Sequence, residues 1–213
     1  MNLRPFENDP DYLAHEVEGW VSARCRRIAA EREHEEDEQQ HAHRPKSCCR
    51  RKNSAEAEVP ANLASLKQYE DDVRCEIGAR IAATEAAGVT LGLQKLVRDH
   101  ELDDADRSTL ILCLIPCLGT RATDPLERIG SYAQVGGIAS EVVAVFCCFG
   151  FRDRLCRLRF DSRHKLVQAG LVTSDTDDDA PPGDWPNTSI KLTPKGFTAL
   201  TGLALAPTEA TDE

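Results

Sequence analysis

The clearest pattern of apolar and polar positions lies in the last third of the chain. Over residues 152–169 the apolar side chains recur mostly at helical spacing, and Asp161 and Ser162 interrupt them with a helix start signal. The pattern therefore predicts two short helices that meet at Phe160. Gly170 is expected to close the second one, because glycine readily adopts the left-handed conformation that ends a helix.

Two strands and a polar loop are predicted after these helices. Residues 171–173 favour an extended segment, residues 175–186 are polar and rich in turn formers, and residues 189–192 alternate as a half-buried strand does. The order helix, helix, strand, loop, strand is typical of a winged helix. We therefore predict a winged-helix unit with a small two-stranded β wing.

The first third of the chain predicts a long amphipathic helix. Asn8 or Asp9 can cap it, and Pro10 is tolerated in its first turn. Its apolar side chains form one stripe, which consists of Leu13, Val17, Trp20, Val21, Cys25 and Ile28. Charged side chains occupy the other face, which is expected to contact water: Glu16, Glu18, Arg24, Arg26 and Arg27.

A second amphipathic helix is predicted after Pro60, and its stripe ends near Gly88. The stripe consists of Leu63, Leu66, Tyr69 or Glu70, Val73, Ile77, Ile81 and Thr84. We expect the two helices to form an antiparallel hairpin. Between them, residues 31–58 contain almost no apolar side chains and change from an acidic to a basic block, which predicts a disordered linker.

The middle of the chain predicts a helical body. A strongly apolar helix is expected to begin at Asp103 or Asp104, to lie at the centre of the domain, and to end or bend at Pro116. Residues 124–134 favour a short helix, and residues 136–150 favour another buried one. The fold class is therefore mainly α, with a helical hairpin followed by a helical body that contains the winged helix.

Three regions follow from these elements. Residues 1–88 would hold the hairpin and its linker, residues 89–202 the helical and winged-helix domain, and residues 203–213 a disordered tail.

Composition restricts the possible functions. The formal net charge of -10 argues against a protein that coats nucleic acid without sequence preference, because phosphate binding needs an excess of Lys and Arg. No long apolar run and no secretory signal pattern occur, so we expect a cytoplasmic protein without membrane contact.

Four side chains in the predicted linker are potential zinc ligands: His41, His43, Cys48 and Cys49. Zinc accepts both residue types, but adjacent cysteines fit a tetrahedral site poorly, and structural sites usually pair ligands as C-x-x-C. We therefore predict a disordered tract without metal, and zinc binding there remains the alternative.

The other chemistry-bearing residues predict no catalytic site. Five cysteines accompany apolar positions and are expected to pack as small apolar residues: Cys113, Cys117, Cys147, Cys148 and Cys156. Only Cys156 has flanking arginines that would favour a reactive thiolate, and packing is preferred there too. The acids at 103–106 suit helix capping and those at 177–179 suit a solvated loop. His100 and His164 have no relay partner, and His164 is expected at the surface. We expect no enzyme, no catalytic residue and no cofactor.

Three segments carry a resemblance to a known family: LGLQKLVRDHELDDADRSTLILCLIPCLG (91–119), VGGIASEVVAVF (135–146) and RFDSRHKLVQAGLVTSD (159–175). They resemble the winged-helix region that precedes the ATPase module in a group of bacterial AAA ATPases. The resemblance covers residues 89–202. Val135-Gly136-Gly137 departs from the Pro-Thr-Val that the family tends to have, and no G-x-x-x-x-G-K-[ST] motif occurs. The resemblance implies that this chain corresponds to the N-terminal part of such a protein without its ATPase module. It also implies that an ATPase module is a candidate partner.

One basic cluster is the candidate interaction surface, and it consists of Arg152, Arg154, Arg157, Arg159, Arg163, His164 and Lys165. Two classes of function remain open. A protein-interaction or regulatory module is the reading we favour, and a winged-helix DNA-binding protein is the alternative. The loop at 175–184 carries five aspartates, which would repel DNA phosphates and argue against the second class. An unrecognised enzyme is the third and weakest reading.

Overall fold

A computed structural model describes residues 4–42, 61–130 and 137–203. Most of these residues are helical, and three short strands form one antiparallel sheet. The helices are α1 (Asp9–Ala14), α2 (Ser22–Ala42), α3 (Ala61–Ala86), α4 (Gly92–Asp99), α5 (Asp104–Leu114), α6 (Thr120–Glu127), α7 (Ser140–Phe146), α8 (Phe151–Arg157), α9 (Lys165–Gln168) and α10 (Pro194–Thr201). The strands are β1 (Ile138–Ala139), β2 (Val172–Ser174) and β3 (Ser189–Leu192).

The first helix begins where the sequence predicts. The Asn8 side chain caps α1 by accepting a hydrogen bond from the backbone N–H of Asp11 at 2.9 Å, and Pro10 lies in the first turn. A π-helical stretch, His15–Val21, joins α1 to α2. All six residues of the predicted apolar stripe are buried, so this prediction is confirmed.

The prediction that the opposite face contacts water is wrong for Arg24 and Arg27, whose mostly buried side chains pair with Glu70 of α3. It is also wrong for Glu16. Its side chain is buried and forms an ion pair with Arg107 of α5. The stretch His15–Val21 packs against α3 on one side and contacts α5 through this ion pair on another. A helix enclosed in this way has little surface left for water, and a one-sided pattern cannot reveal the second contact.

Helix α2 continues to Ala42, into the segment predicted as a linker from residue 31. Residues 32–42 include four Glu and two Gln, which favour a helix without needing an apolar stripe. Arg27 pairs with Glu31, and His34 lies 3.5 Å from Glu38, both one helical turn apart. The rest of the predicted linker, residues 43–58, lies outside the described part of the chain.

The antiparallel hairpin is confirmed by contacts between its two arms. Arg27 Nε lies 2.5 Å from Glu70, and Arg80 Nη2 lies 3.3 Å from Asp11. The beginning of the first arm, which runs from α1 to α2, therefore lies beside the C-terminal part of α3, as an antiparallel pair requires. Of the two alternatives in the α3 stripe, Glu70 is buried and Tyr69 is exposed.

Helix α5 lies at the centre of the body, as predicted. Asp103 is its N-cap, and its side chain accepts hydrogen bonds from two backbone amides. The Asp106 side chain in turn accepts a hydrogen bond from the Asp103 backbone N–H. Residues 110–115 are all essentially inaccessible to solvent. The α-helix ends at Leu114 and continues as the 3₁₀ turn Ile115–Leu118, because Pro116 provides no amide for the helical ladder.

The sheet has three strands rather than the predicted two. β3 lies between β1 and β2, and Ile138 of β1 pairs with Ile190 of β3. The sequence predicted one helix over 136–150, but α7 begins only at Ser140. A two-residue strand is too short to show a period of two, and only its partner strand reveals it.

Two other helix boundaries differ from the predictions. Helix α6 spans Thr120–Glu127 instead of 124–134, and residues 131–136 lie outside the described part. After α8 the chain turns, and α9 begins at Lys165 rather than at Asp161. Gly170 ends α9 with φ of 66°, as predicted.

One apolar core joins the hairpin to the winged helix. Trp20 contacts Phe146 edge to face at 5.2 Å between ring centroids, and both belong to the cluster that includes Leu112 and Ile190. The predicted boundary between residues 88 and 89 therefore does not separate two cores.

None of the helices within residues 4–42, 61–130 and 137–203 combines the length and the hydrophobicity that a membrane span requires.

Candidate functional site: the basic segment and the wing loop

We call the seven predicted interaction residues the basic segment: Arg152, Arg154, Arg157, Arg159, Arg163, His164 and Lys165. The first three lie on α8, the next three on the turn before α9, and Lys165 is the first residue of α9. The wing loop is residues 175–188, between β2 and β3. The structure brings these two parts together.

The two later arginines of α8 bind carboxylates of the helical body. Arg154 Nη1 lies 2.5 Å from Glu141, and its Nε donates to the Phe149 carbonyl at 3.2 Å. Arg157 Nη1 lies 2.6 Å from Asp103, the residue that caps α5. Each pair is partly exposed and adds little to stability, but it cancels the local positive charge.

Arg159 and Lys165 also have partners within the chain. Arg159 Nε lies 2.6 Å from Asp161, and its guanidinium donates to the backbone carbonyl of Asp178 in the wing loop. The same guanidinium lies 5.5 Å from the ring centroid of Trp185. Lys165 Nζ donates to the Glu101 carbonyl at 2.8 Å.

His164 is not the surface residue that the sequence predicted. Its ring stacks on Phe160 at 4.2 Å between centroids, and its Nδ1 accepts a hydrogen bond from the Leu166 N–H at 3.2 Å. Burial lowers the pKa of His164, so the neutral ring is favoured. The residue caps α9 and contributes no positive charge near neutral pH.

Two arginines of the basic segment keep their charge available. Arg152 and Arg163 are exposed, and neither forms an ion pair with any residue that the structure describes. The predicted cluster of seven therefore reduces to two unpaired cations.

The wing loop binds the turn before α9 through one carboxylate. Asp178 accepts a hydrogen bond from the Ser162 backbone N–H at 3.0 Å and another from the Ser162 hydroxyl at 2.8 Å. These two bonds hold the pKa of Asp178 below its ordinary value. Asp177 and Asp179 are exposed beside it, so residues 177–179 form a solvated loop as predicted.

Aromatic and backbone contacts fix the shape of the wing loop. The Trp185 indole N–H donates to the Ala180 carbonyl at 3.0 Å, and the Ser189 N–H donates to Asp175 at 2.7 Å. The Ser140 hydroxyl donates to the Trp185 carbonyl, which ties the loop to the start of α7. The acidic loop therefore lies against the protein rather than projecting from it.

The cysteine predictions are only partly correct. Cys113 is buried, and burial raises its pKa. Cys147 is half-buried, and burial raises its pKa to about 11. Cys117, Cys148 and Cys156 are exposed, so they do not fill the core. Cys117 and Cys148 lie after the buried helices α5 and α7, and Cys156 lies on an exposed face of α8. Apolar neighbours in the sequence do not show that these three side chains are exposed.

The described part of the chain contains no cluster of potential metal ligands. Among those residues, no three His, Cys, Asp or Glu side chains are grouped so that they could hold a metal ion. The candidate zinc ligands His43, Cys48 and Cys49 lie outside the described residues, as does the side chain of His41. Asp103 and Asp106 act as helix caps, as predicted.

A separate feature that sequence reasoning missed is an apolar groove of about 490 Å³. Its walls come from the α1 to α2 run, from α5 and α6, and from the end of α10. The lining residues are Pro10, Leu13, Ala14, Val17, Glu18, Ser22, Leu114, Leu118, Ala122, Pro125, Phe197, Thr201 and Leu203. These segments are distant in sequence, so no local pattern could have indicated the groove.

A second concavity of about 490 Å³ is polar. Its lining includes Trp20 and the paired side chains Arg157 and Asp103. The indole Nε1 of Trp20 is buried and has no hydrogen-bond partner among the described residues. Three arginines and three aspartates line this concavity, so no net ligand charge is favoured.

The fold and the site together define a winged-helix module. Strand order β1-β3-β2, the helices before β2 and the wing loop between β2 and β3 give that architecture. A family model described as "Winged helix domain, variant" matches residues 1–212, and the chain belongs to this family. Comparisons with curated proteins and with solved structures return no match.

Proposed function

We propose that this winged helix is a non-catalytic protein-interaction or regulatory module. The observation that carries the proposal is the internal pairing of the basic segment. Arg154, Arg157, Arg159 and Lys165 contact carboxylates or carbonyls of the same chain, and His164 favours its neutral form. Few positive charges remain available for a phosphate backbone.

Electrostatics support a protein partner over DNA. A DNA-binding protein gains most of its affinity by neutralising phosphates with Lys and Arg. Here an approaching duplex would compete with the internal carboxylates for the same guanidinium groups. It would also approach the exposed Asp177 and Asp179, whose repulsion of nearby phosphates is only partly screened at physiological salt, where the Debye length is about 8 Å. The net charge of -10 adds to this repulsion.

The partner that the resemblance over residues 89–202 implies is an ATPase module, either joined to this chain or separate. In such a pair the ATPase would perform the nucleotide chemistry, and the winged helix would supply a binding surface. DNA binding is the second candidate, and the exposed, unpaired Arg152 and Arg163 are the observation that favours it.

A titration with duplex DNA separates the two candidates. We expect no saturable binding of a labelled duplex of about 20 base pairs at micromolar protein and about 0.15 M salt. Changing Asp177, Asp178 and Asp179 together to Asn should leave binding undetectable. The measurement is fluorescence anisotropy with the full chain.

If DNA binding is observed, two matched variants show whether it depends on the basic segment. Arg163→Ala removes an unpaired cation of the basic segment, and Lys95→Ala removes an exposed cation elsewhere. Micromolar binding near physiological salt that Arg163→Ala weakens and Lys95→Ala does not would overturn the proposal in favour of DNA. In that case Arg163→Ala should also reduce the salt slope by about one.

A further inference from the structure

The apolar groove has the shape of a docking site rather than of a gap in the core. Its floor is formed by buried side chains, among them Leu13 and Leu114. Its rim carries two large apolar side chains that are exposed to solvent, Leu118 at 52% and Leu203 at 53%. Exposed leucines beside a concave apolar surface are typical of sites that another apolar surface covers.

One wall of the groove has an unusual backbone. Val17 and Glu18 belong to the π-helical stretch His15–Val21, and the Ser22 hydroxyl donates to the Val17 carbonyl at 3.3 Å. π-Helical turns are rare, and they occur frequently at functional sites. The π-helical wall is independent of the cavity itself and also indicates a functional surface.

The charge of the groove indicates what would occupy it. Glu18 is the only charged residue in the described lining, it is exposed, and it forms no ion pair with a described residue. Both hydroxyl groups in the described lining already donate hydrogen bonds within the chain, Ser22 to the Val17 carbonyl and Thr201 to the Phe197 carbonyl at 2.8 Å. Glu18 therefore gives the groove a negative charge, which a cationic side chain of the partner would complement.

We propose that the apolar groove binds an amphipathic helix of a protein partner, with apolar side chains between Leu118 and Leu203 and a Lys or Arg paired with Glu18. An amphipathic helix in a hydrophobic groove buries the apolar side chains that recur at every third or fourth position. The apolar lining of this groove would contact those side chains. The net charge of -10 would also attract a cationic partner segment. The inference rests on the proposed function, and it names the surface and the chemistry of the partner.

The probe is a labelled amphipathic peptide of about 18 residues, or about five helical turns, with Leu at helical spacing and Lys elsewhere. A peptide with Glu in place of every Lys is its matched control. We expect the full chain to bind the Leu/Lys peptide with micromolar affinity, as measured by fluorescence anisotropy. The Leu/Glu peptide should bind at least about tenfold more weakly, because it places anions beside Glu18.

Protein variants locate the binding. Leu118→Asp should weaken binding of the Leu/Lys peptide about tenfold or more, whereas Val89→Asp, at an exposed apolar position outside the groove, should not. Glu18→Lys should reduce the preference for the Leu/Lys peptide, whereas Glu33→Lys, which makes the same charge change further along the helix, should leave it within about twofold.

Several results would overturn this inference. Equal affinity for the two peptides, or binding that Leu118→Asp does not change, would remove the groove as the site. If Leu205→Asp raised the affinity, the chain's own C-terminal residues would compete for the groove, and the assignment to a partner helix would be wrong. Failure here with no DNA binding would leave the proposed function intact, whereas DNA binding would overturn that function independently of the peptide result.

Discussion

Arg107→Met is expected to destabilise the protein by about 3–5 kcal/mol near pH 7, because it leaves the buried Glu16 carboxylate without its ion-pair partner. The Glu16 side chain is only 1% exposed. Methionine keeps much of the apolar stem of Arg107, so the loss reports mainly on charge. Urea unfolding of both proteins gives the difference in the free energy of unfolding.

The pH dependence provides a second readout for the same variant. Burial raises the pKa of Glu16, and Arg107 opposes this rise. Without Arg107 the pKa of Glu16 in the folded state rises further above its unfolded value. The stabilising contribution of such a group is fully present below the unfolded pKa and is lost as pH rises through the folded pKa. The deficit of Arg107→Met should therefore be smaller near pH 5 than near pH 7.

The matched control is the double variant Glu16→Gln with Arg107→Met, which removes both charges. It should recover part of the stability, because no unpaired charge remains buried. A deficit for Arg107→Met below about 1 kcal/mol, with no dependence on pH, would contradict the buried ion pair.

Leu112→Ala is expected to destabilise the protein by about 2–5 kcal/mol, the range for deleting a fully buried leucine. Leu112 lies on α5, whose residues from 110 onward are buried on every side. The substitution removes apolar contacts and leaves a cavity that the surrounding helices fill only partly. Urea unfolding measures the change.

Leu118→Ala is the control for Leu112→Ala, since it deletes the same atoms from an exposed position nearby. It should change the free energy of unfolding by no more than about 0.5 kcal/mol. Equal losses for the two variants would mean that α5 does not form the centre of the core.

Periodicity predicted the helices well, because burial of one face leaves a regular trace in the sequence. The stripe from Leu13 to Ile28 was correct for this reason. The start of α5 and the turn at Gly170 were correct because capping aspartates and glycine have local conformational preferences. β1 was missed because two residues carry no period, and its existence depends on pairing with β3.

The charges were harder to predict, because their partners are distant in the sequence. Glu16 appeared to lie on a solvent face until Arg107 of α5 was found beside it. The basic segment appeared to be a positive surface, but its partners include Asp103, Glu141 and the wing loop. A local sequence pattern records which residues are charged and not which charges are paired.

The central claim is that the acidic wing loop is bound to the turn that carries Arg159 and Arg163 of the basic segment, and the Ser162 backbone amide in that turn reports on it directly. The measurement is the amide chemical shift of Ser162 in ¹H–¹⁵N spectra of the full chain and of two single variants. Asp178→Asn should shift the Ser162 signal strongly, whereas Asp179→Asn, at an exposed neighbouring position, should not. In the unmodified chain the Ser162 signal should follow an acid titration with a midpoint below the ordinary aspartate pKa, because its hydrogen bonds favour the ionised Asp178. A Ser162 signal that responds equally to both variants and shows no such titration would contradict the account.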